Sequence, residues 1–212
     1  MSQTGRNTAA SARQRLSRIA ADRGVDFQQV LVSYAVERLL YRLSVSAHAR
    51  SFILKGATLF TLWEGFPHRQ TRDLDLLGFG ESTVAHLEST FREIIRTVVP
   101  DDGLLFGEEV RAEPIRTFQE YGGVRVHLAA LLEKARITVS VDVGFGDSIT
   151  PAPKEVDFPT LLDFPKPRVR AYPPLARGSE CASGAPRPYR TPIPPIGCPR
   201  SPDRLGPKPG FP

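Results

Sequence analysis

Leu16, Ile19 and Ala20 recur at the spacing of one helical face before Gly24 interrupts it, which predicts a helix from near Ala9. Asp26 is placed to cap a second helix reaching to about Ser46. On that helix Val30, Tyr34, Leu39 and Leu43 share an apolar face, and Glu37, Arg38 and Arg42 are expected to point to solvent. Both helices read as packing elements. The pattern then shortens. Phe52 to Leu54 is an apolar run that reads as a strand end, Lys55-Gly-Ala-Thr58 turns the chain, and Leu59 to Trp63 begins another helix. Asp73-Leu-Asp-Leu76 alternates with period two, the mark of a strand with one polar and one apolar face, and Gly78 and Gly80 end it. Residues 82–98 carry Val84, Leu87, Phe91, Ile94, Ile95 and Val98 in an amphipathic helical pattern. Three strands follow at residues 111–115, 124–130 and 136–143, with residues 131–134 as a hairpin connection between the last two.

The character changes beyond Pro165. Fourteen prolines crowd residues 165–212 with few aliphatic residues and no sustained period. Such a segment buries too little apolar surface to offset chain entropy, so residues 165–212 are expected to be a disordered, Pro/Arg-rich tail. The remainder divides into an N-terminal helical segment, 1–46, packing on a core at 47–164. The expected fold class is α+β.

Charge changes this picture little. The chain carries 28 basic and 23 acidic residues, but nine of the basic and only two of the acidic ones lie from residue 165 onward. The body is therefore slightly acidic, and overall basicity is weak support for nucleic-acid binding. Both cysteines, Cys181 and Cys198, also fall in the tail and have no histidine partners that would make a zinc site. No apolar stretch approaches the ~18 residues of a membrane span, and no apolar segment follows Arg6 and Arg13 as a secretory signal would need. A cytoplasmic protein with no membrane partner is expected.

Candidate chemistry centres on carboxylates. Asp73 and Asp75, two apart on a strand, point to the same face and can grip a divalent cation against a triphosphate. A third carboxylate on a neighbouring strand would complete a two-metal clamp. Asp142, polar among valines, is the best candidate, and Asp147 is next. Lys55, Gly56, Ala57 and Thr58 form a glycine turn that opens a helix, where backbone N–H groups can approach phosphate. Lys55, Arg69 and Arg72 are placed to neutralise the triphosphate. Each element alone is commonplace; their order and combination are not.

Taken together, Phe52-Ile-Leu-Lys-Gly-Ala-Thr-Leu-Phe, Arg69-x-Thr71-x-Asp-Leu-Asp-Leu and Val141-Asp-Val-Gly-Phe-Gly-Asp resemble the AbiEii/AbiGii toxin family, which includes the MenT toxins. The resemblance runs from about Ser11 to about Pro173. It implies a polymerase-beta-like nucleotidyltransferase fold, with a mixed sheet flanked by helices. It also implies Mg²⁺ as cofactor, an NTP as substrate, a tRNA acceptor and a cognate AbiEi-type antitoxin, in a toxin–antitoxin system serving abortive infection and phage defence. On this resemblance Asp73, Asp75 and Asp142 are the metal-binding catalytic residues, and Lys55, Gly56, Ala57, Thr58, Arg69 and Thr71 hold the nucleotide. Many relatives have a second glycine where Ala57 stands. The family continues past the equivalent of Arg170-Ala-Tyr-Pro into a helix with a Glu-Lys pair and then a Lys-Asp helix. This chain turns instead to proline and arginine, as a frameshift near Pro173 would produce. The alternative expectation is therefore a truncated, inactive remnant that keeps NTP or antitoxin binding.

Overall fold

Gly24 ends the first helix as its position suggests. In the computed structural model, which describes residues 3–59, 62, 73–115, 123–146 and 152–173, α1 (Gln3–Arg23) closes on Gly24 at φ +62°. The Gly24 and Val25 N–H groups donate back to Ala21 and Ala20, which satisfies carbonyls that a helix end leaves free. Ala9, Ala12, Leu16 and Ala20 form the buried face of α1. Its small residues allow close approach: a side chain at Gly103 (φ +74°) would run into the backbone of Ala9.

Asp26 caps α2 (Phe27–Val45) by accepting the Gln29 N–H. The expected apolar positions are buried, but so are Glu37, Arg38 and Arg42, which correct the expectation that they face solvent. Long-range partners explain it. Arg42 makes a two-pronged pair with Asp102 and donates to the Leu104 carbonyl. Arg38 donates to the Pro165 carbonyl, and Glu37 accepts the Leu161 N–H. Tyr34 adds a bond from its hydroxyl to the Asp102 carbonyl. Charges enter an interior when they are paired and hydrogen-bonded, and here they fasten α2 to two loops. A further helix, α3 (Val84–Arg96), is capped by Thr83 and buries Leu87, Phe91 and Ile94; Val98 lies beyond its end and is exposed.

The strands are β1 (Phe52–Leu54), β2 (Asp73–Gly78), β3 (Leu104–Phe106), β4 (Arg111–Ile115), β5 (Gly123–Leu132), β6 (Ala135–Gly144), β7 (Lys154–Asp157) and β8 (Arg168–Ala171). They make one mixed sheet in the order β3-β5-β6-β2-β1-β8-β7, with β4 also paired to β5. The β5–β6 hairpin alternates cleanly: Val124, Val126 and Leu128 on one strand and Val139, Val141 and Val143 on the other are buried in the core shared with α1, α2 and α3. The intervening residues face the other way.

The segment from residue 165 departs from the expected disorder at its start. Within it, β8 pairs in parallel with β1 and antiparallel with β7, burying Val169 and Ala171, and the Tyr172 N–H donates to Leu54. The four residues of β8 are too short a run to show periodicity, and their order comes from the sheet edge that β1 offers. The described residues belong to one compact unit; the rest of the expected tail, like Trp63, lies outside them.

Candidate active site

Alternation along β2 decides which side chains leave the core. Leu74 and Leu76 join it, and Asp73 and Asp75, partly exposed, project from the other face. The parallel pairing of β2 with β6 sets Asp75 directly beside Asp142 and Asp73 beside Ser140. All three expected carboxylates therefore share one face of two adjacent strands.

The turn after β1 lies against this face. The Lys55 N–H donates to the Asp75 carbonyl at 3.0 Å, continuing the β1–β2 ladder to the turn. Gly56 adopts φ +68°, a conformation that glycine tolerates and side chains resist. Any Cβ there would overlap the Asp75 carboxylate. Asp75 is held above the ordinary carboxylate range by burial first; a hydrogen bond from the Ala57 N–H and the Lys55 charge act against this, and the Asp142 and Asp73 charges reinforce it. The glycine turn thus grips Asp75 itself. Lys55 reaches over the end of β6, where a side chain at Gly144 would meet its Nζ at 2.5 Å. Thr58 is buried just past the turn. Arg69, Thr71, Arg72 and Asp147 lie outside the described residues.

One residue of the site was missed from sequence. Arg125 on β5 stands opposite Asp142 across the hairpin and donates from Nε and Nη2 to its two carboxylate oxygens, each at 2.7 Å. The hydrogen bond and the opposite charge hold Arg125 more firmly protonated than a free guanidinium. The signal was available in principle: the two-residue turn at Glu133–Lys134 fixes the hairpin register, and that register pairs 125 with 142.

The donor set suits a hard divalent cation. Asp73 and Asp75 offer carboxylate oxygens on one face, and Asp75 carries a crowded negative charge that such a cation would relieve. Among the described residues, no three Asp, Glu, His or Cys side chains are drawn together as a closed metal cluster. Asp142 is turned instead to Arg125.

No curated protein matches the chain. Two crystal structures from Helicobacter pylori are similar: one of a protein provisionally described as a nucleotidyltransferase (TM-score 0.43, 14% identity, covering 71% of this chain and 56% of that one) and one of JHP933 (TM-score 0.39, 16% identity, covering 65% and 49%). The chain spans about half the length of these two. Residues 38–176 match the model of the nucleotidyl transferase AbiEii toxin family, a type IV toxin–antitoxin system. Because that match covers well over half of the sequence, including both strands of the acidic face, the chain belongs to the AbiEii nucleotidyltransferase toxin family.

Proposed function

We propose that this chain is a nucleotidyltransferase toxin that moves a nucleotide from an NTP to an RNA acceptor, with Mg²⁺ held at Asp73 and Asp75. The observation that carries this reading is the in-register row of Asp75 and Asp142 beside Asp73, with the Gly56 turn closed onto Asp75. When bound, Mg²⁺ would supply charge neutralisation for the triphosphate and orientation of its phosphates. The chain's residues do the rest. Asp73 and Asp75 fix where the cation sits. The Ala57 N–H anchors Asp75, and Lys55 brings a positive charge to the end of β6 on the same side. Arg69 and Thr71 are proposed as further nucleotide contacts. In the reaction an acceptor hydroxyl forms a bond to the α-phosphorus, the α–β phosphoanhydride bond breaks, and pyrophosphate leaves with release of a proton.

The family supports two further parts of the reading: a cognate AbiEi-type antitoxin that restrains the enzyme, and tRNA as the acceptor. Among the described residues no helix is long and apolar enough to cross a membrane, and the cytoplasm is the proposed site of action. Induced expression of the full chain should arrest bacterial growth, and the Asp73→Ala, Asp75→Ala double variant should not. Equal arrest by both would remove the carboxylates from the mechanism.

A second reading is favoured by the break in pattern after Pro173: a remnant that no longer transfers nucleotides but still binds NTP or antitoxin. Measurable NTP binding by a folded preparation that transfers nothing would select it.

A further inference from the structure

Among the described residues two Arg–Asp pairs are two-pronged, and they differ in burial. Arg42 and Asp102 are 7% and 3% exposed and tie α2 to a core loop. Arg125 and Asp142 are 38% and 22% exposed and stand on the face that carries Asp73 and Asp75. Breaking the first pair would leave buried charges without their partners. The second is partly exposed, so water can replace part of its hydrogen bonding when it separates, and it opens more readily than the first.

The sheet order gives the exposed pair its meaning. Asp142 lies on β6 with Asp75 on one side, on β2, and Arg125 on the other, on β5. Neighbouring strands are about 4.8 Å apart, so a carboxylate that turns both oxygens to one neighbour turns them from the other. Each of its oxygens accepts one bond from Arg125, and among the described residues the three aspartates do not close into a metal cluster.

We propose that Arg125 is a latch on Asp142: it holds the third carboxylate out of the cation site, so that a divalent cation binds first to Asp73 and Asp75 and gains Asp142 only when the Arg125–Asp142 pair opens. The inference rests on the metal-dependent reading above. Arg125 is a positioning residue in this scheme, since it acts through Asp142. A different role, in which Arg125 supports Asp142 in a ligating pose, has the opposite sign, because removing Arg125 would then weaken cation binding.

The test is Mn²⁺ binding to the full chain, followed by the electron paramagnetic resonance signal of the free ion. Arg125→Met should bind Mn²⁺ about fivefold tighter or more than wild type, the factor that follows from releasing a pair worth about 1 kcal/mol. Asp142→Asn alone should bind no tighter than wild type, and the gain should vanish in Arg125→Met, Asp142→Asn. Arg125→Lys keeps the charge without the fork and should show part of the gain, which also serves if Arg125→Met does not fold. Equal or weaker binding by Arg125→Met and Arg125→Lys would overturn the latch. So would a gain that survives in the double variant, since that reports only the lost positive charge. Mn²⁺ bound by wild type, lost in Asp73→Ala, Asp75→Ala and unchanged in Arg125→Met would remove the latch alone. Absence of Mn²⁺ binding by every folded variant would remove the metal site and the latch together.

Discussion

A side chain at Gly56 and the carboxylate of Asp75 cannot occupy the structure together: a methyl group built on Gly56 overlaps Asp75 Oδ2. The turn after β1 and the acidic strand β2 are therefore fitted as one piece, with the glycine leaving room for the carboxylate and the Ala57 N–H holding it.

Gly56→Ala follows directly. It adds a left-handed backbone penalty at φ +68° to an overlap with Asp75. Together these should cost about 2–4 kcal/mol of stability, unless Asp75 moves away. If it moves, nucleotide transfer should fall by about 100-fold with the fold intact, since misplacing a reacting group by about 1 Å has that effect. Urea denaturation and transfer assays on the same sample separate the two outcomes, and a variant unchanged in both would contradict the close fit.

The buried pair of Arg42 and Asp102 gives a stability prediction. Arg42→Met leaves the Asp102 carboxylate in the interior with its two-pronged partner gone, and should cost about 3–5 kcal/mol. Adding Asp102→Asn should recover part of that loss, because the stranded charge goes with it. Guanidinium denaturation measures both, and a single-variant cost below about 1 kcal/mol would show that the pair is not held out of water.

Such a prediction could not be drawn from the sequence, which made Arg42 a surface residue. Its partner is 60 positions away, and the partners of Glu37 and Arg38 are 124 and 127 away. Local periodicity reports that a charge interrupts an apolar face, and the burial of that charge depends on loops that periodicity does not see. β8 escaped notice for a related reason: its four residues gain order from the edge of β1. The acidic strand was legible because period two over Asp73 to Leu76 puts polar and apolar side chains on opposite faces whatever the neighbours. The β5–β6 hairpin was legible for the same reason, and its turn register held the one overlooked site residue, Arg125. The helix starts at Asp26 and near Thr83 and the stop at Gly24 are local signals, and they coincide with the ends of α1, α2 and α3.

Glu37 should make stability depend on pH. Burial, the first cause, raises its carboxyl to about 7 against an ordinary 4.5, although Arg38 and the Leu161 N–H pull the other way and Asp102 reinforces the rise. The folded protein thus binds this proton more tightly than the unfolded chain. The contribution is fully present below pH 4.5 and is lost as pH rises through about 7. Between pH 5 and pH 8 wild type should lose roughly 2–3 kcal/mol relative to Glu37→Gln, whose neutral side chain does not titrate. Parallel stability–pH curves for the two proteins would show that Glu37 is ionised throughout.

The central claim is that Asp73 and Asp75 support nucleotidyl transfer. The most direct measurement incubates the full chain with Mg²⁺, total tRNA and each NTP labelled in turn at the α- and the γ-phosphate, beside the Asp73→Ala, Asp75→Ala double variant. The expected result is α-label in the RNA from at least one NTP, no γ-label, and a fall to background in the double variant. RNA labelled equally by both proteins, or no transfer from a folded wild-type sample with any NTP, would contradict it.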